Sequence, residues 1–154
     1  PLPEAQLDRF MFNVILDYPS YEEELQVIKN TTSDLSVNLN KILDGDKIIT
    51  FQKLVRRIPV SDNVIEYAVK LVAKTRPNST YSTERVNQFI SWGAGPRASQ
   101  NLVIGAKCHA AINGKFSPDI EDVKAVAIPI LRHRVVKNYK AEGISIEQLI
   151  KELF

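Results

Sequence analysis

Gly93-Ala94-Gly95-Pro96-Arg97-Ala98-Ser99 is the stretch on which the reading of this chain turns. Two glycines make a flexible turn, and Pro96 suits the first position of a helix, where its missing N–H costs nothing. The helix it opens runs through Leu102, Val103, Ala106, Ala110 and Ala111 and stops at Asn113-Gly114, a C-terminal signal. Its alanines allow a neighbouring helix to come close. Arg97 is out of place for local stability. A cation in the first turn faces the positive end of the helix dipole, at a cost of roughly 0.3–1 kcal/mol. An anion at the same point reverses the sign, because the dipole, the first-turn amides and the guanidinium then all favour it. A local conflict of this kind marks a candidate functional site.

Outward from this turn the apolar spacing is helical. Upstream, Val64, Ala68, Leu71 and Val72 form one stripe behind a Ser61 or Asp62 cap, and Thr50 is the expected cap of a helix ended by Pro59. Val86, Phe89, Ile90 and Trp92 lead into Gly93 as an apolar segment. Downstream, Ser117-Pro118-Asp119 reads as a helix start, with Ser117 the cap and Pro118 the first residue inside; Ile120, Val123, Ala127, Ile130 and Leu131 mark its buried face, and Pro129 should kink or end it. Ser20-Tyr21-Glu22-Glu23 and Ser145-Ile146-Glu147-Gln148 are capping boxes. Residues 33–48, with scattered Leu35, Val37, Leu39, Ile42 and Leu43, read as a loop with a short helix. The exception to the helical pattern is Phe10–Leu16, whose branched and aromatic residues read as a β-strand. A strand needs a sheet, expected ahead of Pro1; without it the strand should pair with a neighbouring chain or fold back. The fold class is therefore mainly α, a helical bundle preceded by one strand-bearing arm.

Bulk properties fit one globular domain: 154 residues, 44% hydrophobic and 25% charged. No apolar run reaches the roughly 20 residues that span a bilayer, and a single cysteine, Cys108, forbids an internal disulfide, so a cytoplasmic, membrane-free protein is expected. The net charge of +2 conceals a division: residues 1–50 hold four Lys/Arg against nine acids, residues 51–154 sixteen against nine. Oppositely charged ends suit head-to-tail assembly. Basic residues such as Arg56-Arg57 are dispersed among acids, which argues against nucleic acid as a partner. No G-x-x-x-x-G-K-[ST] motif occurs, so the chain alone is not expected to hydrolyse nucleotide. Cys108-His109 lacks a second ligand pair at metal spacing, so no metal site is expected; Cys108 reads as a core helix residue and His133 as a hydrogen-bonding one.

Pro1-Leu-Pro-Glu-Ala-Gln-Leu-Asp-Arg-Phe10, Tyr67-Ala-Val-Lys-Leu-Val-Ala-Lys-Thr-Arg76, the Gly-Pro-Arg turn at Gly95-Pro96-Arg97, Ser117-Pro-Asp-Ile-Glu-Asp-Val123 and Leu131-Arg-His-Arg134 resemble, in order, segments of MoxR-family AAA+ ATPases, and the resemblance covers nearly the whole chain. It implies that residues 1–17 are the end of an AAA+ core and residues 18–154 a helical lid domain, in a C-terminal piece of a longer ATPase. It implies that Arg9 is an arginine finger acting on a neighbouring subunit's ATP, since a planar, permanently charged guanidinium stabilises charge on a transferring phosphoryl group. Gly95, Pro96 and Arg97 match the sensor 2 turn at the phosphates of the subunit's own ATP. The resemblance further implies ATP and Mg2+ in the full-length protein, a homo-oligomeric ring expected as a hexamer, and chaperone-like remodelling of client proteins, von Willebrand A-domain proteins among them. The alternatives are a helical nucleic-acid-binding module or a protein-interaction bundle without nucleotide chemistry.

Overall fold

In a computed structural model, residues 3–34 and 39–154 are described. The elements are α1 (Glu4–Leu7), α2 (Tyr21–Thr32), α3 (Gly45–Arg57), α4 (Asp62–Lys74), α5 (Glu84–Phe89), β1 (Ile90–Trp92), α6 (Pro96–Ile112), α7 (Ile120–Leu131), β2 (Val136–Lys137), a 3-10 turn (Tyr139–Ala141) and α8 (Ile146–Lys151). Among the described residues no helix is long and apolar enough to cross a membrane.

The core lies where the stripes meet. Val64, Ala68, Leu71 and Val72 of α4, Ala98, Leu102 and Ala106 of α6, and Val123, Ala127, Ile130 and Leu131 of α7 are all buried, and Leu149 and Ile150 of α8 close the cluster. The small residues of α6 do let α7 approach: a Cβ on Gly105 would sit 3.2 Å from both Ile130 Cδ1 and Val126 Cγ2. By contrast, neither α2 nor α3 contributes a buried residue. Cys108, expected in the core, lies on α6 but is only half-buried, beside α3 rather than between α6 and α7.

Local signals and tertiary demands part at identifiable places. The Ser20 capping box is complete, with the Ser20 hydroxyl accepting from the Glu23 amide and the Glu23 carboxylate accepting from the Ser20 amide. Ser61 stands at the N-cap of α4 but makes no side-chain cap bond, and Ser145 caps α8 by accepting from the Gln148 amide, without the reciprocal bond that would complete the expected box. Thr50 is not a cap: Asp44 is, accepting from the Lys47 amide, and Thr50 sits inside α3 with its hydroxyl donating to the Asp46 carbonyl. A carboxylate six residues earlier takes the cap position, and the helix runs on through the threonine. Likewise Asp119, not Ser117, caps α7, in a reciprocal box with Asp122. Pro129 does not end α7, which continues to Leu131. Leu35 and Val37 of the expected loop lie outside the described residues.

The strand expected over Phe10–Leu16 does not form. The segment has no ladder; instead it folds back onto the C-terminus of α7, where the Asn13 amide donates to the Pro129 carbonyl at 2.8 Å. The described strands are β1 and β2, paired antiparallel with Ile90 opposite Lys137 and Trp92 opposite Val136, across an irregular register. Runs of two and three residues carry no detectable alternation, so this ribbon was absent from the sequence-based expectation.

The Gly93–Gly95 turn is held against the end of α4. Thr75, fully buried, donates from its hydroxyl to the Val72 carbonyl at 2.7 Å and accepts from the Ala94 amide at 2.9 Å. Arg76 Nε–H donates to the Ala94 carbonyl at 2.9 Å. The approach is close enough that a Cβ on Gly93 would lie 2.5 Å from the Thr75 carbonyl oxygen and 2.6 Å from Arg76 Cα, whereas one on Gly95 would meet nothing within 4 Å. At the other end of α6, buried Asp122 binds His109 Nδ1 at 2.7 Å and Lys115 Nζ at 3.1 Å. Burial works against the Asp122 charge; the Asp119 amide, His109 and Lys115 outweigh it and bring the carboxyl down to about 2 from 3.8.

Two predictions follow from these packings. Gly93→Ala should destabilise the chain by about 1–3 kcal/mol, because only backbone can yield to the new methyl, while Gly95→Ala should stay within about 0.5 kcal/mol; urea unfolding compares them. For Asp122 the folded value lies below the unfolded one. Its contribution is therefore complete above about pH 4 and is lost as pH falls through about 2. Asp122→Asn should lower stability at neutral pH by roughly 2 kcal/mol and flatten the loss between about pH 4 and 2, as read from urea midpoints across that range.

Candidate functional site

Arg97 occupies the first turn of α6, which has no side-chain cap and no acid of its own there. Every other helix from α2 onward carries an acidic residue in its first turn. Arg97 remains about half exposed, and its one hydrogen bond among the described residues runs from Nη1 to Asp8 Oδ2 at 2.7 Å. The anion that the local reading called for is thus present, but it comes from 89 residues earlier in the chain.

Asp8 is placed by Arg134. This guanidinium, only 1% exposed, donates from Nε to Asp8 Oδ1 at 3.0 Å and from Nη2 to the Asp8 carbonyl at 2.9 Å. It also donates to the carbonyls of Phe10, Met11 and Ile130. The same contacts complete the C-terminus of α7. Its last carbonyls would be orphaned, yet Ile128 accepts from the Arg132 amide, Pro129 from Asn13, Ile130 from Arg134, and Leu131 from the amides of Arg134 and Val135. Burial holds the Arg134 guanidinium below its usual range; the Asp8 carboxylate offsets this only in part, and the Arg97 cation adds to it. One carboxylate therefore joins a buried, saturated arginine to an exposed one with donors to spare.

His133 lies alongside, its Nε2 3.1 Å from the Phe10 carbonyl. A carbonyl only accepts, so Nε2 carries the proton; the buried Nδ1 has no partner among the described residues. Burial holds the imidazole below the usual histidine range, with the Arg134 cation acting the same way against the Phe10 carbonyl. His133 is thus a neutral hydrogen-bonding residue. Arg132 turns the other way, 3.6 Å from Glu147 before α8 closes its first turn. Together Asp8, Trp92, Gly93, Gly95, His133 and Arg134 line a cleft of about 330 Å³ at the start of α6.

Of the site residues read from sequence, Gly95, Pro96 and Arg97 are consecutive at the start of α6, with Gly95 as N-cap and Pro96 first in the helix, and Gly95 lines this cleft. Arg9 follows Asp8 directly. It is exposed, its amide donates to the Gln6 carbonyl, and its side chain forms no ion pair or hydrogen bond among the described residues. The arrangement suits a phosphate: a cation with unused donors, a helix N-terminus and free space over Gly95. The residues that sequence reasoning missed are Asp8, Thr75 and Arg134. Each lies inside a segment already singled out, but their roles depend on contacts 19 to 126 residues apart, which no local pattern displays.

Comparison with known proteins agrees with this architecture. The family model of the AAA lid domain matches residues 82–153. Chaperone MoxR1 of Mycobacterium tuberculosis (strain ATCC 25618 / H37Rv) is 33% identical over 141 residues, 92% of this chain and 37% of that protein. The uncharacterized protein YeaC of Bacillus subtilis (strain 168) is 31% identical over 156 residues, 99% of this chain and 46% of that one. The crystal structure of a candidate ATPase from Cytophaga hutchinsonii ATCC 33406 superposes with a TM-score of 0.89 at 36% identity, covering 99% of this chain and 47% of its own. The chain spans less than half the length of each of these relatives. With a helical lid assembled around the Gly-Pro-Arg turn and relatives of this kind along its length, the chain belongs to the MoxR-type AAA+ ATPases, and residues 82–153 are its AAA lid domain.

Proposed function

We propose that the chain is the lid-bearing part of an ATPase that couples ATP binding and hydrolysis to chaperone-like remodelling or maturation of partner proteins. The observation that carries this reading is Arg97: a half-exposed guanidinium at an acid-free helix N-terminus, on a turn whose backbone is fixed by Thr75 and Arg76. A fixed backbone with a side chain that keeps donors in reserve beyond its one ion pair with Asp8 is what a phosphate sensor requires. Arg97, with Gly95 and Pro96 at the turn, is the sensor 2 group that would hold the γ-phosphate of ATP bound to the same subunit. Because the turn is bonded to α4, a pull on Arg97 is passed to the helical core and not absorbed by a loop.

Arg9 takes the second role, the arginine finger. It is exposed on a segment anchored by Arg134, so its side chain can meet an adjacent subunit while its backbone stays in place. The finger reading of Arg9 entails a homo-oligomeric ring, expected as a hexamer, in which each subunit's Arg9 would face its neighbour's ATP. ATP, when bound with Mg2+, supplies the phosphoryl group; this chain's residues orient and neutralise it. The clients of such a ring, von Willebrand A-domain proteins among them, and a cytoplasmic location belong to the same proposal.

The test uses the full-length protein. Arg9→Ala should lower ATP turnover by roughly 10³-fold or more while ATP binding, followed by fluorescence of an ATP analogue, is retained. Arg97→Ala should weaken that binding or uncouple it from turnover. Turnover at the wild-type rate in Arg9→Ala would remove Arg9 from the finger role.

A further inference from the structure

We infer that Asp8 competes with nucleotide phosphate for Arg97, so that an internal carboxylate sets the affinity of the sensor. The inference rests on the sensor reading of Arg97 and adds to it a residue that touches the sensor and not the ligand. Asp8 binds Arg97 with one carboxylate oxygen, at 2.7 Å, and Arg134 with the other, at 3.0 Å. The two arginines are not equivalent. Arg134 is 1% exposed and is held by the carbonyls of Asp8, Phe10, Met11 and Ile130 besides the Asp8 carboxylate. Arg97 is 48% exposed and, among the described residues, its side chain has Asp8 alone.

When a phosphate draws Arg97 away, Asp8 therefore does not become an unpaired anion, because Arg134 stays. The exchange costs only a partly solvated ion pair. Such a pair is strong enough to bias Arg97 and weak enough for a more highly charged ligand to displace. The orientation of Arg97 towards the arm is thereby set by Asp8, and Asp8 by Arg134.

The experiment is equilibrium binding of a fluorescent ATP analogue with Mg2+ to the full-length protein and three variants. Asp8→Asn should bind about two- to five-fold tighter than wild type, the fold-change equivalent of the pair that is lost. Arg97→Ala should bind more weakly, and the Asp8→Asn, Arg97→Ala double variant should match Arg97→Ala alone, since Asp8 acts only through Arg97. If Asp8→Asn binds equally or more weakly while Arg97→Ala is impaired, the competition is wrong and the sensor reading stands. If Arg97→Ala binds as wild type, both fall. Asp8→Asn should keep a cooperative melt, because four backbone carbonyls still hold Arg134. Should it not, Asp8→Glu decides: retaining the charge, it should bind within two-fold of wild type, and tightening by the Asn factor would overturn the proposal.

Discussion

The buried guanidinium of Arg134 is the contact on which the rest of the site depends. A charge removed from water is tolerated only when its donors are met. Arg134 meets them with one carboxylate and four carbonyls, drawn from residues 8–11 and from Ile130. The result is more than satisfaction of one side chain. It closes the C-terminal end of α7, draws the N-terminal arm onto the bundle, and delivers Asp8 to Arg97. Without that clamp the arm would have little to hold it, since residues 12–34 are exposed throughout.

The site divides its labour between rigid and free parts. Thr75, Arg76 and the absent side chain of Gly93 fix the backbone that leads into α6. Arg97 then leaves that fixed backbone with most of its donors unused. Gly95 has a different role from Gly93: its own packing does not demand glycine, and the space above it is open. Asp122 secures the far end of α6 in the same manner as Thr75 secures its start, by satisfying groups from two elements at once. Both ends of the long helix are therefore tied to neighbours, which suits an element meant to transmit a displacement.

Legibility followed range. The capping box at Ser20, the Ser145 cap, the α4 stripe and the proline-led start of α6 were plain because their causes lie within four residues. Thr50 and Ser117 misled because a nearby aspartate made the better cap in each case. The failed strand is more instructive. Phe10–Leu16 has the composition of a strand, but composition specifies only a preference, and a ladder requires a partner. The ribbon actually formed, Ile90–Trp92 with Val136–Lys137, is too short to announce itself and depends on a pairing across more than forty residues.

By itself the sequence determined the mainly helical class, the family resemblance, and the oddity of a cation at the start of α6. These are written in nearest-neighbour spacing, where dipoles, caps and apolar periodicity act. Only the tertiary structure decided what answers Arg97. Asp8 and Arg134 are separated by 126 residues and meet because helix packing brings the end of α7 beside the start of α6. Electrostatic pairing depends on distance in space, and that distance is set by the core, not by the order of the residues that share it.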